Sequence, residues 1–152
     1  WCCLVGSEMC IRDRFCIDIK GHKSRAKIER GIQAHTCYSY QGQISIDQGF
    51  KKQSITNSSF CIPGFSVCMK VKSVHFEHEV ILSKCDNMNL DSFMFSENNE
   101  IHIKKDKSYC LTVVENSLRT GKGGSPIHKM RDIELLKCNK NIHHLQKWGY
   151  RD

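Results

Sequence analysis

The cysteines are the residues of this chain whose type and spacing point most directly to a chemistry. The sequence has ten cysteines in 152 residues, and cysteine at this density forms either disulfides or metal sites. Zinc sites use close pairs such as C-x2-C, whereas beyond the first ten residues the closest pair is Cys61 and Cys68. Disulfides are therefore expected, which predicts a secreted or extracytoplasmic protein, in the periplasm or the secretory lumen.

Other polar clusters indicate little chemistry. Two of the histidine groups, His75 with His78 and His143 with His144, lack a second pair of ligands, so no metal site is predicted. The glycine-rich segment 119–125 lacks the G-x4-G-K-[ST] order of a phosphate-binding loop and is expected to be a long turn. The sequence has no nucleophile elbow and no carboxylate pair at catalytic spacing. It therefore predicts no enzymatic activity and no cofactor.

The charge and hydropathy of the chain predict neither a nucleic-acid partner nor membrane insertion. The formal net charge is +7, but the basic residues are scattered, without a basic helix or an alternation of basic and aromatic residues. A solvated surface is the expected role of these charges. No apolar segment approaches the roughly 20 residues that span a bilayer.

Three segments of the chain share one order of features, which indicates an internal repeat. Each segment has a cysteine between apolar residues, a variable loop, an alternating apolar strand that ends in a second cysteine, and a closing aromatic residue. The strands alternate with a period of two and no long window keeps a helical period, so an all-β fold is expected. Three such repeats around a pseudo-threefold axis close a small barrel. The repeats cover about residues 15–52, 53–97 and 98–152.

Each repeat contains one pair of cysteines. Closing a loop of this size with a disulfide stabilises a fold by roughly 3 kcal/mol. Cys61 has no partner in this scheme and is expected to be a small buried apolar side chain. The predicted pairs are Cys16–Cys37, Cys68–Cys85 and Cys110–Cys138.

The closing motif of the repeats carries a family resemblance. The order C-[IL]-x-[IV] … C … Q-x-[WF] resembles that of the ricin-B-type lectins, whose β-trefoil repeats each end in Q-x-W. The motif is intact at residues 146–148 (Gln-Lys-Trp), conservative at 48–50 (Gln-Gly-Phe) and degraded at 93–95 (Phe-Met-Phe). The resemblance covers about residues 15–152 and implies a β-trefoil of three cysteine-stapled repeats that binds sugars without catalysis.

The resemblance also implies where a sugar is bound. A working repeat of this family has an aspartate after the first cysteine, a side chain that stacks on the sugar and an Asn-Gln type pair at the closing motif. A carboxylate accepts hydrogen bonds from adjacent hydroxyls, and a flat side chain covers the C–H face of the sugar. Repeat one matches this set with two departures, a histidine at the stacking position and an aspartate in place of the asparagine. The expected carbohydrate-binding residues are Asp18, Gln33, His35, Asp47 and Gln48.

Repeats two and three are expected not to bind sugar. Lys70 and Thr112 take the position of the aspartate. Ser83 and Leu136 take the stacking position. Gln146 and Trp148 are expected to be architectural. The same role is the alternative for repeat one, in which Gln48 would brace the trefoil turn and Asp18 would cap a loop.

The first fourteen residues have no convincing helical or strand period. They are similar to the translation, in one frame, of a common transposase-type sequencing-library adapter, so residues 1–14 are expected to be non-native. In that case Cys2, Cys3 and Cys10 carry no meaning and the native first strand of repeat one is missing. An upstream signal peptide or domain would also be absent.

Three functions follow from these observations. The leading one is a lectin module with a single galactose- or N-acetylgalactosamine-type site in repeat one, whose partners are glycans. The second is the C-terminal lectin module of a larger secreted glycosidase or glycosyltransferase. The third is a trefoil that binds no sugar and mediates protein interaction.

Overall fold

The chain folds almost entirely into β-strands, in a computed structural model that describes residues 7–11, 15–37, 46–85 and 92–151. The all-β prediction is confirmed. One short α-helix, Lys52–Thr56, and several 3-10 turns connect the strands of the described part. No helix there is long and apolar enough to cross a membrane.

The strands fall into three groups that correspond to the repeats. Strand β1 (Ser7–Ile11) precedes the predicted repeat one, which contains β2 (Phe15–Ile19), β3 (Ile32–Thr36) and β4 (Gly49–Phe50). Repeat two contains β5 (Cys61–Ile62), β6 (Val67–Val74), β7 (Glu77–Lys84) and β8 (Phe93–Phe95). Repeat three contains β9 (Ile101–Ile103), β10 (Tyr109–Val113), β11 (Arg119–Thr120), β12 (Lys129–Arg131), β13 (Ile133–Lys137) and β14 (Gly149–Arg151).

The strand pairing is that of a β-trefoil. The middle strands of each repeat pair antiparallel as a hairpin. These pairs are β2–β3 in repeat one, β6–β7 in repeat two and β10–β13 in repeat three. The outer strands join one repeat to another, because β8 pairs with β9 and β14 pairs with β1. The third repeat therefore closes onto the first.

The core lies inside this ring and takes equivalent residues from each repeat. The residue after the first cysteine is fully or almost fully buried in all three hairpins, as Ile17, Met69 and Leu111. Among the closing aromatic residues, Phe50 and Trp148 are buried, and the Trp148 Nε1–H donates to the Leu111 carbonyl at 2.9 Å. The alternation that indicated strands thus also selects the side chains of the core.

Disulfides staple the three hairpins. The Cα atoms of the pairs Cys16–Cys37, Cys68–Cys85 and Cys110–Cys138 are 5.0, 5.2 and 5.0 Å apart. These separations lie in the usual range for a disulfide, about 4.4–6.8 Å.

Cys61 differs from its expected role as a buried apolar residue. It is half-buried, and its Sγ lies directly beside that of Cys68 because Cys61 on β5 faces Cys68 on β6. A sulfur forms one disulfide at a time, and the Cα atoms of Cys61 and Cys68 are only 4.1 Å apart. Because 5.2 Å fits disulfide geometry and 4.1 Å is short of it, we assign the bond to Cys68 and Cys85.

Residues 7–11 take the place of the first strand of repeat one. They form β1, which pairs with β2, β4 and β14. This strand lies within the segment 1–14, whose adapter origin stays a prediction. Residues 1–6 and 12–14 lie outside the described residues.

Repeat three carries an inserted hairpin that reaches across to repeat one. Strands β11 and β12 pair with each other, and β12 also pairs with β3, with Met130 opposite His35. The Thr36 hydroxyl fixes this junction, since it accepts from the Lys129 N–H at 2.8 Å and donates to the Lys129 carbonyl at 3.2 Å. Most of the segment expected to be a long turn does connect β11 to β12, while Arg119 and Thr120 belong to β11 of a hairpin that extends the repeat-one sheet.

Candidate functional site

The β2–β3 hairpin gathers three of the five predicted site residues on one face. Asp18 lies directly opposite Gln33, and Cys16 lies opposite His35. Cross-strand partners share a face, and so do alternate residues of one strand. Asp18, Gln33 and His35 therefore lie on the face of the disulfide, while Ile17 and its alternating neighbours face the core.

The Asp18 carboxylate is the centre of a buried hydrogen-bonded cluster. Gln33 Nε2 donates to Asp18 Oδ1 at 3.2 Å, and Gln48 Nε2 donates to Asp18 Oδ2 at 3.0 Å. His35 Nδ1 lies 3.9 Å from Asp18 Oδ2. The side chain of Asp18 is fully buried, so each of its oxygens is held by an amide of the protein.

Asp47 connects the cluster to the loop that follows β2. Its backbone carbonyl accepts from the Ile19 N–H at 3.1 Å, and its Oδ2 accepts from the Lys23 N–H at 2.8 Å. Its Oδ1 is buried and has no hydrogen-bond partner among the described residues. Asp47 therefore holds the loop in place while keeping one carboxylate oxygen unsatisfied.

Burial shifts the titration of these groups toward their neutral forms. It raises the pKa of Asp18 well above its ordinary value, and the nearby Asp47 carboxylate raises it further, while hydrogen bonds from Gln48 and Gln33 oppose the shift. Burial also raises the pKa of Asp47. It lowers the pKa of His35, which favours a neutral imidazole.

A cavity of about 650 Å³ lies between the β2–β3 hairpin and the inserted hairpin of repeat three. This volume is within the range of small-molecule sites, about 300–1,000 Å³. One wall is formed by residues 21–23 and 35–37, and the other by residues of the segment 121–130. The His35 ring stacks on the His128 ring across the cavity, with centroids 5.2 Å apart and planes inclined by 29°.

Among the five predicted residues, His35 alone lines this cavity. Asp18, Asp47 and Gln48 are fully buried, Gln33 is 5% exposed, and His35 itself is only 6% exposed. The five predicted residues lie close together, but four of them lie behind the cavity wall, and their role in sugar binding stays a prediction.

Repeat three shows what the closing glutamine does without a carboxylate. Gln146 Nε2 donates to the Thr112 hydroxyl at 2.9 Å and to the Lys137 carbonyl at 3.1 Å. Gln48 makes the equivalent bonds to Asp18 and, at 3.2 Å, to the Thr36 carbonyl. The glutamine thus braces the hairpin in both repeats, as the architectural alternative predicted.

The cavity residues that sequence reasoning missed lie on loops. They are His22 and Lys23 in the loop after β2, and Lys122 and His128 in the insert. The one signal available was the run of glycines at 121–124, which was interpreted as a turn only. The pairing of the insert with β3 joins residues 93 positions apart, so no local sequence pattern predicts this pairing.

The described residues contain three groups of close cysteine and histidine side chains at equivalent places. Each group consists of the two cysteines of one hairpin and a third residue on the neighbouring strand. The third residue lies opposite the first cysteine and is Cys10 for Cys16, Cys61 for Cys68 and His102 for Cys110. A sulfur in a disulfide is not a thiolate and is a poor metal ligand. These groups therefore belong to the stapled hairpins and give no reason to assign a metal.

Comparison with known proteins gives a limited result. No protein-family model and no curated protein sequence matches the chain. Among solved structures, the chain is similar to a mutant of the earthworm lectin C-terminal domain in complex with 6'-sialyllactose. The TM-score is 0.48 at 16% sequence identity, over 95% of this chain and 98% of that domain.

Proposed function

We propose that this chain is a carbohydrate-binding module with one site, in the cavity between repeat one and the insert of repeat three. The observation that carries the proposal is the cavity of about 650 Å³, with the stacked His35 and His128 rings on its wall and a buried carboxylate cluster directly behind His35. Imidazole rings offer a face for the C–H surface of a sugar. The surrounding loops offer N–H and hydroxyl donors for its oxygens.

The five predicted residues take two roles in this proposal. His35 contacts the sugar by the small part of its ring that is exposed in the cavity, and it supports the His128 ring stacked on it. Asp18, Gln33 and Gln48 position the strand that carries His35, and Asp47 positions the loop that carries Lys23. The ligand is a galactose- or N-acetylgalactosamine-type sugar, as the family resemblance implies. The disulfides are consistent with an oxidising compartment, and we propose that the protein is secreted or extracytoplasmic.

The test compares two residues at equivalent positions. His35 faces Cys16, and Leu136 faces Cys110, in the same register of the two hairpins. In glycan-array and titration experiments on the full chain, His35→Ala should weaken binding about 3- to 10-fold, because it removes a wall residue and the stacking partner of His128. Leu136→Ala should leave binding unchanged. A wild-type chain that binds no glycan, or a His35→Ala variant that binds as wild type does, would overturn the proposal.

Protein interaction is the second candidate, because the tip of the β6–β7 hairpin is apolar. Phe76 is 93% exposed and Val74 is 52% exposed, and an exposed aromatic residue is a common anchor of a protein interface. If Phe76→Ser abolishes capture of a partner protein and His35→Ala does not, this function replaces the first. Attachment to an upstream glycosidase or glycosyltransferase stays a proposal that the full reading frame decides.

A further inference from the structure

The charged side chains that line the cavity are lysines, and the other ionisable side chains on its wall are histidines. Lys23, Lys122, His22, His35 and His128 line it, and no aspartate or glutamate is among its lining residues in the described chain. The carboxylates of Asp18 and Asp47 are fully buried behind the wall. A concave site lined by cations of one sign concentrates anions.

The glycines at the rim are not explained by packing. A Cβ added to Gly123 or Gly124 would meet no atom within 4 Å, and neither residue has the positive φ that requires glycine. What glycine does provide there is a backbone without side chains, which lets a ligand approach the peptide N–H groups closely. Backbone N–H groups in glycine-rich loops are common donors to anionic oxygens.

From these observations we infer that the ligand of this cavity is an anionic glycan, a sugar that carries a carboxylate or a sulfate. The inference rests on the proposed carbohydrate-binding function and names its ligand class. The sugar lies against the wall that contains His35 and His128, and its acidic group is bound by Lys23 and Lys122, which line opposite walls of the cavity. Charge-assisted hydrogen bonds from two ammonium groups are about twice as strong as neutral ones, so the acidic group supplies much of the affinity.

The sharpest test uses sugars that differ in one group. Galactose, galacturonic acid and galactose 6-sulfate share a ring and differ only at C6, which is neutral, a carboxylate or a sulfate. Dissociation constants from chemical-shift titrations of the full chain should be at least 10-fold lower for one of the acids than for galactose. The comparison between the two acids identifies the source of the charge. Raising the salt concentration should weaken binding of the acid and leave binding of galactose unchanged.

Matched lysine variants locate the effect. Lys23→Gln and Lys122→Gln should each reduce the preference for the acid several-fold, and the double variant should abolish it. Lys23 holds Asp47 through its backbone N–H, so the substitution spares that contact. Lys72→Gln, at an exposed position of β6 away from the cavity, should have no effect. Thermal unfolding of each variant checks that the fold is intact.

The outcomes separate this inference from the function on which it rests. If galactose binds as tightly as both acids, the anionic ligand is refuted and carbohydrate binding stands. If an acid is preferred but the lysine double variant keeps the preference, the assignment to this cavity is refuted. If no glycan binds at all, the proposed function itself fails and the inference falls with it.

Discussion

The buried carboxylate of Asp18 leads to a prediction about how stability depends on pH. The carboxylate is fully buried, and His35 Nδ1 lies 3.9 Å from it, on a ring whose own pKa is lowered. Because the pKa of Asp18 is raised in the folded state, the folded protein binds more protons than the unfolded chain above the ordinary pKa of an aspartate. The free energy of unfolding should therefore fall as the pH rises from the ordinary pKa of an aspartate to the raised pKa of Asp18. The fall is up to about 1.4 kcal/mol per pH unit for this group.

The substitution Asp18→Asn removes this titration. An amide keeps the shape of the side chain but has only one acceptor oxygen, while Gln33 and Gln48 each donate to a separate oxygen of Asp18. One donor must turn or lose its partner, which costs about 1–3 kcal/mol. The variant should be less stable than wild type near pH 4. As the pH rises, wild type should lose stability and the variant should not. The variant becomes the more stable protein if wild type loses stability over more than about two pH units.

Urea unfolding between pH 4 and pH 8 measures this difference directly, with the disulfides kept oxidised. Thr112→Ala is the matched control, because it removes the equivalent contact of Gln146 in repeat three without changing a titrating group. Its effect on stability should be the same at every pH. If the difference between Asp18→Asn and wild type is flat across the range, then Asp18 does not titrate as its burial implies, and the reasoning fails.

Three further predictions follow from single contacts. Trp148→Phe should cost about 1–3 kcal/mol in urea unfolding, because it leaves a buried carbonyl of β10 without its indole donor; an effect below 0.5 kcal/mol would contradict this. Thr36→Val removes both bonds to Lys129, so the Lys129 amide should exchange its hydrogen faster, and protection equal to wild type would show that the inserted hairpin docks by other means. Peptide mapping of the unreduced, alkylated protein should recover Cys68–Cys85 as a linked pair and Cys61 as a labelled thiol, and a Cys61–Cys68 link would reverse the assignment.

The features that sequence reasoning predicted are those encoded within one hairpin. The cysteine spacing and the alternation around Ile17 and Leu111 are local, and the hairpins form where these patterns predict. The register that sets Asp18 opposite Gln33 follows from the same spacing. What could not be predicted is the burial of Asp18, because it depends on the turn at residues 46–48, which folds back to bring Gln48 over the hairpin.

The cavity was beyond prediction for a similar reason. Its walls come from two repeats, and the bonds that join them link Thr36 to Lys129 across 93 positions of sequence. Comparing the repeats with one another identifies only the features that all three share. The insert occurs in repeat three alone, so this comparison does not detect it. Cys61 was missed because its neighbour on β6 is set by the strand register rather than by spacing.

The bridge from repeat three to repeat one has a consequence for how the molecule comes apart. A trefoil ring closes where repeat three meets repeat one. Here that junction contains the cavity as well as the β1–β14 pairing. A ligand in the cavity would contact both repeats and hold this junction together. Occupancy would then stabilise the protein against unfolding that separates the two repeats, by about 2.7 kcal/mol at a ligand concentration one hundred times the dissociation constant.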